Sequence, residues 1–458
     1  MSYTAPSPNL RAELSATLRL ALPLVGANLI AMAISAVDTV FIARLGEEEL
    51  AASTLGIAAF GLLVWSSTGL IALSPLVAAE LGRRRHSVRE VRRTTRMALW
   101  LAIAVALCLT LFFQLGQEIM LATGQPPALA ARAGQFLGVL ALAILPLLTA
   151  FTLRQFVASL DRAAYATWIN LFALGTNTLG NWLLVYGHGG FPALGIVGSA
   201  ISTTLTGWAM VLAYALVIRC DRRLRRYRIS GNWWRAEWQR LREIVRVGAP
   251  IAATILAEAG LFAGAAFLMG HIGEAQLAGH AVALQVGALA FQVPYGVGMA
   301  ATIRVGLAYG AGDHAAAGRA GMASFIFGIG FMSLTALAML AAPRTILSLY
   351  VDVDAPANAA LMTYAVQYLF VAAIFQLFDG AQAVGAGALR GLQDTRVPMG
   401  FAIFGYWGPG FGTCLWLGFH TPLGGLGIWI GFAVGLAVVA SLMLTRWFRR
   451  EQLGLIPG

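Results

Sequence analysis

PIAATILAEAGLFAGAAFLMGHIGEAQLAG, residues 250–279, decides the fold, because it repeats PLVGANLIAMAISAVDTVFIARLGEEELAA at residues 23–52 without a gap. The register pairs Pro23 with Pro250, Gly46 with Gly273, Glu47 with Glu274, Leu50 with Leu277 and Ala51 with Ala278. PALGIVG at 192–198 and GGLGIWI at 424–430 carry the correspondence to the far end of each half. Each repeated stretch opens on a proline and holds an apolar run about as long as a membrane-crossing helix, which needs about 20 residues. A repeat this long makes the chain two copies of one unit.

Composition sets the environment of those units. Of 458 residues 59% are hydrophobic and 11% charged, which is outside the range of soluble domains. Cutting at charge clusters and Gly/Pro-rich joints gives twelve apolar runs, at 20–43, 50–79, 97–115, 134–153, 164–186, 193–218, 247–270, 277–303, 321–342, 362–388, 397–419 and 423–445. The runs are too long for barrel strands and lack two-residue alternation. The fold class is therefore an all-α polytopic membrane protein with twelve transmembrane helices in two six-helix lobes. Six is an even number, so both lobes enter the membrane in the same sense, related by a pseudo-twofold axis along its normal. That arrangement implies a cavity reached alternately from each side. The expected division is 1–218 for the N-terminal lobe, 219–246 for a linker and 247–458 for the C-terminal lobe.

With the N-terminus inside, the inner loops hold Arg83, Arg84, Arg85, Arg154, Arg304, Arg390 and most other basic residues, leaving only Arg44, Arg132 and Arg344 outside. This asymmetry places both termini in the cytoplasm. The linker, with Trp233, Trp234 and Trp238 among arginines, reads as an amphipathic helix lying on anionic lipid rather than as a nucleic-acid surface. Cys108, Cys220 and Cys414 are far apart and suggest neither a disulfide framework nor a zinc site. The stretch before the first span lacks a basic start, an apolar h-region and a small-residue cleavage site, so no cleaved signal is expected. No nucleophile–base pair or metal-ligand motif suggests an enzyme, and no cofactor is expected.

The repeat breaks at its intramembrane acids. Asp38 aligns with Ala265, Glu258 with Ala31 and Asp379 with Leu147, so these acids belong to one half each. Asn177 and Asn181, four apart on one helical face, gather with Asp38 in the N-terminal half, and Glu258 gathers with Asp379 in the other. An ionised side chain at the bilayer centre costs about 2.5–3.5 kcal/mol and normally faces a bundle interior or a water-filled cavity. No arginine lies within the twelve runs to neutralise these acids. Gln285, Gln292 and Gln382 are further polar candidates, and His271 and His280 read as surface residues near helix ends.

ALPLVGANLIAMAISAVDTVFIARLG (21–46), SPLVAAELGRRR (74–85), EAGLFAGAAFLMGHIGEAQLAGHAVALQV (258–286), PYGVGMAATIRVGLAYGAGD (294–313) and LFDGAQAVGAGALRGLQDTRVP (377–398) together resemble the multidrug and toxic compound extrusion (MATE) transporters, in their bacterial NorM-type branch. The resemblance covers essentially the whole chain. It implies a secondary active transporter of the bacterial inner membrane that exports cationic amphiphilic drugs and dyes by antiport with protons or sodium. It further implies Glu258 and Asp379 as C-lobe cation- and substrate-binding acids, Asp38, Asn177 and Asn181 as an N-lobe cation-binding cluster, and Pro23 as a conformational hinge. From their positions near these acids Gln285, Phe262, Phe375 and Phe378 are expected as accompanying C-lobe substrate contacts, and sodium is expected at Glu258, Asp379 or Asp38 if sodium is the coupling ion. Phe375 stands where the family pattern would place a tyrosine one turn before Asp379, which removes an oxygen from that site. The partners expected are small cationic drugs and membrane lipid, with no nucleic acid, and the chain is expected to be monomeric. The alternative reading is a flippase of lipid-linked precursors of the same broader superfamily, whose phosphorylated substrate would call for arginines rather than acids within the membrane.

Overall fold

The computed structural model describes residues 9–83 and 87–456; Arg84 and Arg85 of the inner loops lie outside the described residues. Among the described residues the chain is helical, with no strand. Twelve long helices follow the twelve expected spans. In the first half these are α1 (Leu10–Ala43), α2 (Glu47–Arg83, with a break after Leu70), α3 (Ser87–Phe113), α4 (Pro127–Ser159), α5 (Ala164–Tyr186) and α6 (Gly195–Cys220). In the second they are α7 (Trp238–Ile272), α8 (Glu274–Ala311), α9 (His314–Ala341), α10 (Ala359–Gly391), α11 (396–419) and α12 (Gly425–Phe448). Ten of these helices are long and apolar enough to cross a membrane by length and composition. The other two are α5, diluted by Asn170, Asn177 and Asn181, and α11, interrupted by a π-helical turn at Tyr406–Gly410. Pro409 sits in that turn and has no N–H to donate, which is the local reason the regular ladder gives way.

The helices overrun the apolar runs at their ends. α1 starts ten residues before the run at 20, α7 nine before 247, and α8 ends eight after 303. Charge clusters mark where hydrocarbon ends, not where a helix ends, and paired charges continue within helical turns. Arg154, Arg304 and Arg390, expected in loops, all lie inside helices.

Contacts divide the chain into two compact units. One comprises residues 26–252, and the other residues 253–456 together with the beginning of α1 up to Val25. The division cuts α1 between Val25 and Gly26 and α7 between Ala252 and Ala253, in each case just beyond the helix's internal proline, Pro23 or Pro250. Within the second unit, α1 crosses α8 so closely that a Cβ on Gly296 would lie 3.0 Å from the Val25 backbone nitrogen. Within the first unit, α7 crosses α2, and a Cβ on Gly69 would lie 2.8 Å from the Ala252 nitrogen. Gly69 and Gly296, like Val25 and Ala252, are equivalent at the offset of 227 that separates Pro23 from Pro250. The repeat therefore places a glycine where the other half's first helix must approach backbone to backbone.

An ion pair accompanies each crossing. In the second unit Arg304 donates from Nε and Nη2 to the two oxygens of Glu13, both at 2.7 Å, and Glu13 is 1% exposed. In the first unit Arg240 of α7 meets Glu80 at 3.1 Å and also engages Glu90 of α3. Glu13 and Arg240 occupy equivalent positions of the repeat, so the same location is held by opposite charges.

The segment 219–246, expected as one amphipathic helix, is not one. After α6 it forms a single helical turn at Arg222–Arg225, a run of turns, and then the start of α7. Its polar groups are held by arginines of α3: Arg92 Nε donates to the Tyr227 carbonyl at 2.7 Å, Arg96 Nη1 to the Asn232 carbonyl at 2.9 Å, and Arg93 and Arg96 both engage Glu237. Capture of backbone carbonyls by side chains favours turns over a continuous helical ladder. Trp234 and Trp238 remain exposed.

Breaking a buried ion pair by removing one partner costs about 3–5 kcal/mol. Glu13→Gln should accordingly lower the thermal midpoint of the purified protein by several degrees, and the exchange Glu13→Arg with Arg304→Glu should recover part of it. An unchanged midpoint for Glu13→Gln would contradict the role given to this pair.

Candidate functional site

The three polar residues of the N-terminal half come together. Asp38 on α1 receives Asn177 Nδ2 at 3.1 Å and Asn181 Nδ2 at 2.7 Å, both on its Oδ1. The spacing of four puts both amides of α5 on one face. The sequence reading missed two further donors from α6: Ser199 Oγ at 3.5 Å from Oδ1 and Thr203 Oγ1 at 3.3 Å from Oδ2. They too stand four apart, which was the available signal, but small hydroxylated residues are common packing residues in membrane helices. Asn177 and Asn181 are fully buried, and Asn181 also donates to Asn177 Oδ1 at 3.2 Å. Asp38 is thus surrounded by neutral donors from two helices.

The C-terminal acids have a different environment. Glu258 of α7 and Asp379 of α10 lie within electrostatic reach of one another, and Tyr406, in the π turn of α11, is near both. Among the described residues neither acid takes part in an ion pair. Asp379 is buried, and its Oδ1 has no hydrogen-bond partner. Gln382 Oε1 and Tyr406 Oη are likewise buried and unpartnered, although Gln382 lies beside the Tyr406 hydroxyl. Asp379 Oδ1 and the unpartnered oxygens of Gln382 and Tyr406 make the surroundings of the two acids rich in oxygen, a donor set suited to a proton or a cation.

Arg390 corrects the expectation that no arginine stands near these acids. It lies in the last turn of α10, within electrostatic reach of Glu258 and Tyr406. Eleven residues separate it from Asp379, about three helical turns, so both lie on one face of α10. The apolar run had been ended at 388, which concealed it.

The remaining candidates are distributed unevenly. Phe375 is buried against Trp429, with ring centroids 5.7 Å apart, and Phe262 packs tilted against Phe432 at 5.0 Å. Both rings thus belong to one aromatic cluster, since Trp429 and Phe432 are themselves 5.5 Å apart. Phe378 is half-buried, and Gln285 is exposed, with no contact joining it to the acids. Gln292 Nε2 turns back to the Ala288 carbonyl at 3.4 Å. Pro23 lies within α1, half-buried, near the boundary of the two units. His271 is exposed, as expected, but His280 is 1% exposed, packed on Trp429 and Phe432, with neither ring nitrogen hydrogen-bonded. Since α8 begins at Glu274, His280 is almost two turns inside the helix rather than at its end.

The MatE family profile matches residues 23–183 and 250–415, opening both times on the repeat's prolines. A protein named "Probable multidrug resistance protein NorM" from Mesorhizobium japonicum (strain LMG 29417 / CECT 9101 / MAFF 303099) is 45% identical over 450 residues, covering 98% of this chain and 96% of the relative. "Multidrug resistance protein NorM" from Burkholderia vietnamiensis is 38% identical, covering 97% and 95%. Among solved structures, the eukaryotic MATE transporter AtDTX14 superposes with a TM-score of 0.86 at 21% identity, covering 96% of each chain. An outward-facing multidrug resistance MATE transporter of the MOP superfamily gives 0.87 at 19% identity, covering 98% of each.

An unsatisfied buried hydroxyl costs about 1–3 kcal/mol, and replacing it by an apolar group of the same shape is neutral or stabilising. Tyr406→Phe should therefore leave the thermal midpoint of the purified protein unchanged or raise it by a few degrees. A fall of several degrees would mean that the hydroxyl is satisfied after all.

Proposed function

This chain belongs to the MatE family, and on that premise we propose that it is a multi-pass secondary transporter of the bacterial inner membrane that exports cationic amphiphilic compounds against an inward-moving cation. The observation that carries the reading is the pair Glu258 and Asp379, two neighbouring acids inside the second stretch of the family match, without ion-pair partners among the described residues and with the unpartnered Tyr406 hydroxyl near both. Two acids against the single nearby guanidinium of Arg390 favour a cationic cargo over a phosphorylated one. With both termini in the cytoplasm, the coupling cation reaches the acids from outside.

The mechanism is competition for charge. A carboxylate away from water binds either a proton or an organic cation, and each occupant weakens the other. A lipophilic cation gains apolar contact as well, and the half-buried Phe262 and Phe378 side chains on the same helices as the two acids provide it. Protonation then removes the attraction and releases the drug. A ligand shifts a conformational equilibrium only through unequal affinity for its states, so the acids must differ in exposure or neighbours between those states. Pro23 and Pro250, at the points where α1 and α7 pass from one compact unit to the other, are the natural hinges, since proline frees the carbonyl one turn earlier. Phe375 contributes no oxygen beside Asp379, and we take the proton rather than sodium as the coupling ion.

Two outcomes follow in everted vesicles loaded with ethidium as substrate. Glu258→Gln keeps the shape of the side chain and removes its charge, so the variant should insert at normal levels and lose at least about tenfold in transport, in line with a lost charge–charge contact. Full transport by this variant would refute the assignment of Glu258. Wild-type transport should follow an imposed pH gradient and collapse with a proton–potassium exchanger, while a sodium gradient alone should drive none.

A further inference from the structure

A second charged site lies in the first compact unit. A cavity of about 860 Å³ is lined by Arg162, Asp221, Arg222, Arg223, Arg225, Arg226 and Arg228. Six arginines against one aspartate leave a large excess of positive charge around one space. The aspartate is already committed: Arg162 Nε lies 3.0 Å from Asp221 Oδ2, the Tyr165 hydroxyl donates to the same oxygen at 3.2 Å, and Asp221 Oδ1 accepts the Arg223 backbone N–H at 2.8 Å. Among the described residues, Arg222, Arg223, Arg225 and Arg228 form no ion pair. Like charges held around one space repel, and since Arg222, Arg223, Arg225, Arg226 and Arg228 are exposed there, the cluster is open to a counter-anion arriving from outside the protein.

The wall of the cavity is built rather than loose. Leu224 is fully buried and Tyr227 nearly so, anchoring the turn that carries the arginines. Arg226 lies over the Tyr227 ring at 4.9 Å and donates to its hydroxyl at 2.9 Å. The Tyr227 carbonyl is held by Arg92, and Arg228 follows with a left-handed φ of 44°. The cavity sits where α4 ends, α5 begins and α6 ends, at the arginine-rich ends of three membrane-crossing helices. Guanidinium groups match phosphate oxygens in paired hydrogen bonds, and several around one space match clustered phosphates better than a single one. Basic pockets at this level of a membrane protein meet lipid headgroups.

We propose that this cavity binds a clustered phosphate-ester anion, namely the headgroup of an anionic phospholipid carrying two phosphates. The site is independent of the transported cation and of Glu258 and Asp379. It supplies the lipid contact at a defined cavity, in place of the amphipathic helix that the sequence suggested.

The test is native mass spectrometry of the full chain released from detergent after incubation with equal amounts of diphosphatidylglycerol, phosphatidylglycerol and phosphatidylcholine. The expected result is preferential retention of one diphosphatidylglycerol, falling about tenfold or more when Arg222, Arg223, Arg225 and Arg228 are all changed to Gln. A control removes the same charge elsewhere, with Arg219, Arg242, Arg246 and Arg449 changed to Gln, and should retain the lipid. Equal losses in both quadruple variants, or none in either, would overturn the proposal. A parallel arm adds soluble tripolyphosphate. Displacement of bound lipid by millimolar tripolyphosphate, in wild type but not in the cavity variant, supports the phosphate chemistry. Binding of tripolyphosphate with no retained lipid would overturn the lipid as the source. Thermal midpoints of both variants, compared with wild type, separate loss of the site from loss of the fold.

Discussion

A carboxylate withdrawn from water must find either a countercharge or a set of donors, and the rest of this structure can be understood from how each of its buried acids meets that demand. Glu13 meets it with a bidentate guanidinium, Asp38 with four neutral donors, and Asp379 leaves one oxygen with nothing. The first solution fixes structure, because neither partner can leave cheaply. The second satisfies the carboxylate without a countercharge. The third leaves a carboxylate oxygen with no partner in the protein. Glu258, half-buried, forms no ion pair among the described residues and has Asp379 nearby.

The repeat explains why these solutions can coexist in one chain. Duplicated helices share their packing constraints, so Gly69 and Gly296 stay glycine where a foreign helix backbone approaches, and Pro23 and Pro250 stay proline inside their helices. Charges are free to diverge once geometry is secured. Glu13 and Arg240 share one place in the repeat with opposite signs, and each finds its complement on another helix of its unit. Glu258 and Asp379 lack counterparts altogether. The architecture is symmetric where helices cross and asymmetric where cations would bind.

Much of this was legible in the sequence because it is written in hydropathy and spacing. The twelve helices, the repeat and the meeting of Asp38 with Asn177 and Asn181 follow from apolar length and from the four-residue period. What was hidden depends on things a hydropathy reading discards. Arg390 and Glu13 fell outside the apolar runs, yet they lie within helices and take part in burial, because a helix outlasts the hydrocarbon core. Tyr406 was one aromatic among many until a π turn brought its hydroxyl to the acids. His280 looked like a helix-end residue, and only the early start of α8 places it in the aromatic core. The turns of the linker depend on Arg92 and Arg96 more than a hundred residues away, which no local pattern records.

The central claim is that Glu258 and Asp379 carry one exchangeable positive charge, supplied in turn by proton and drug. The most direct measurement is proton release when tetraphenylphosphonium is added to the purified protein in weakly buffered detergent solution. The account predicts that drug binding expels protons into solution, and that the double variant Glu258→Gln, Asp379→Asn loses both the binding and the release. Undiminished binding by that variant, or wild-type binding with no proton released at any pH between about 5 and 8, where such acids must titrate to serve the exchange, would contradict it.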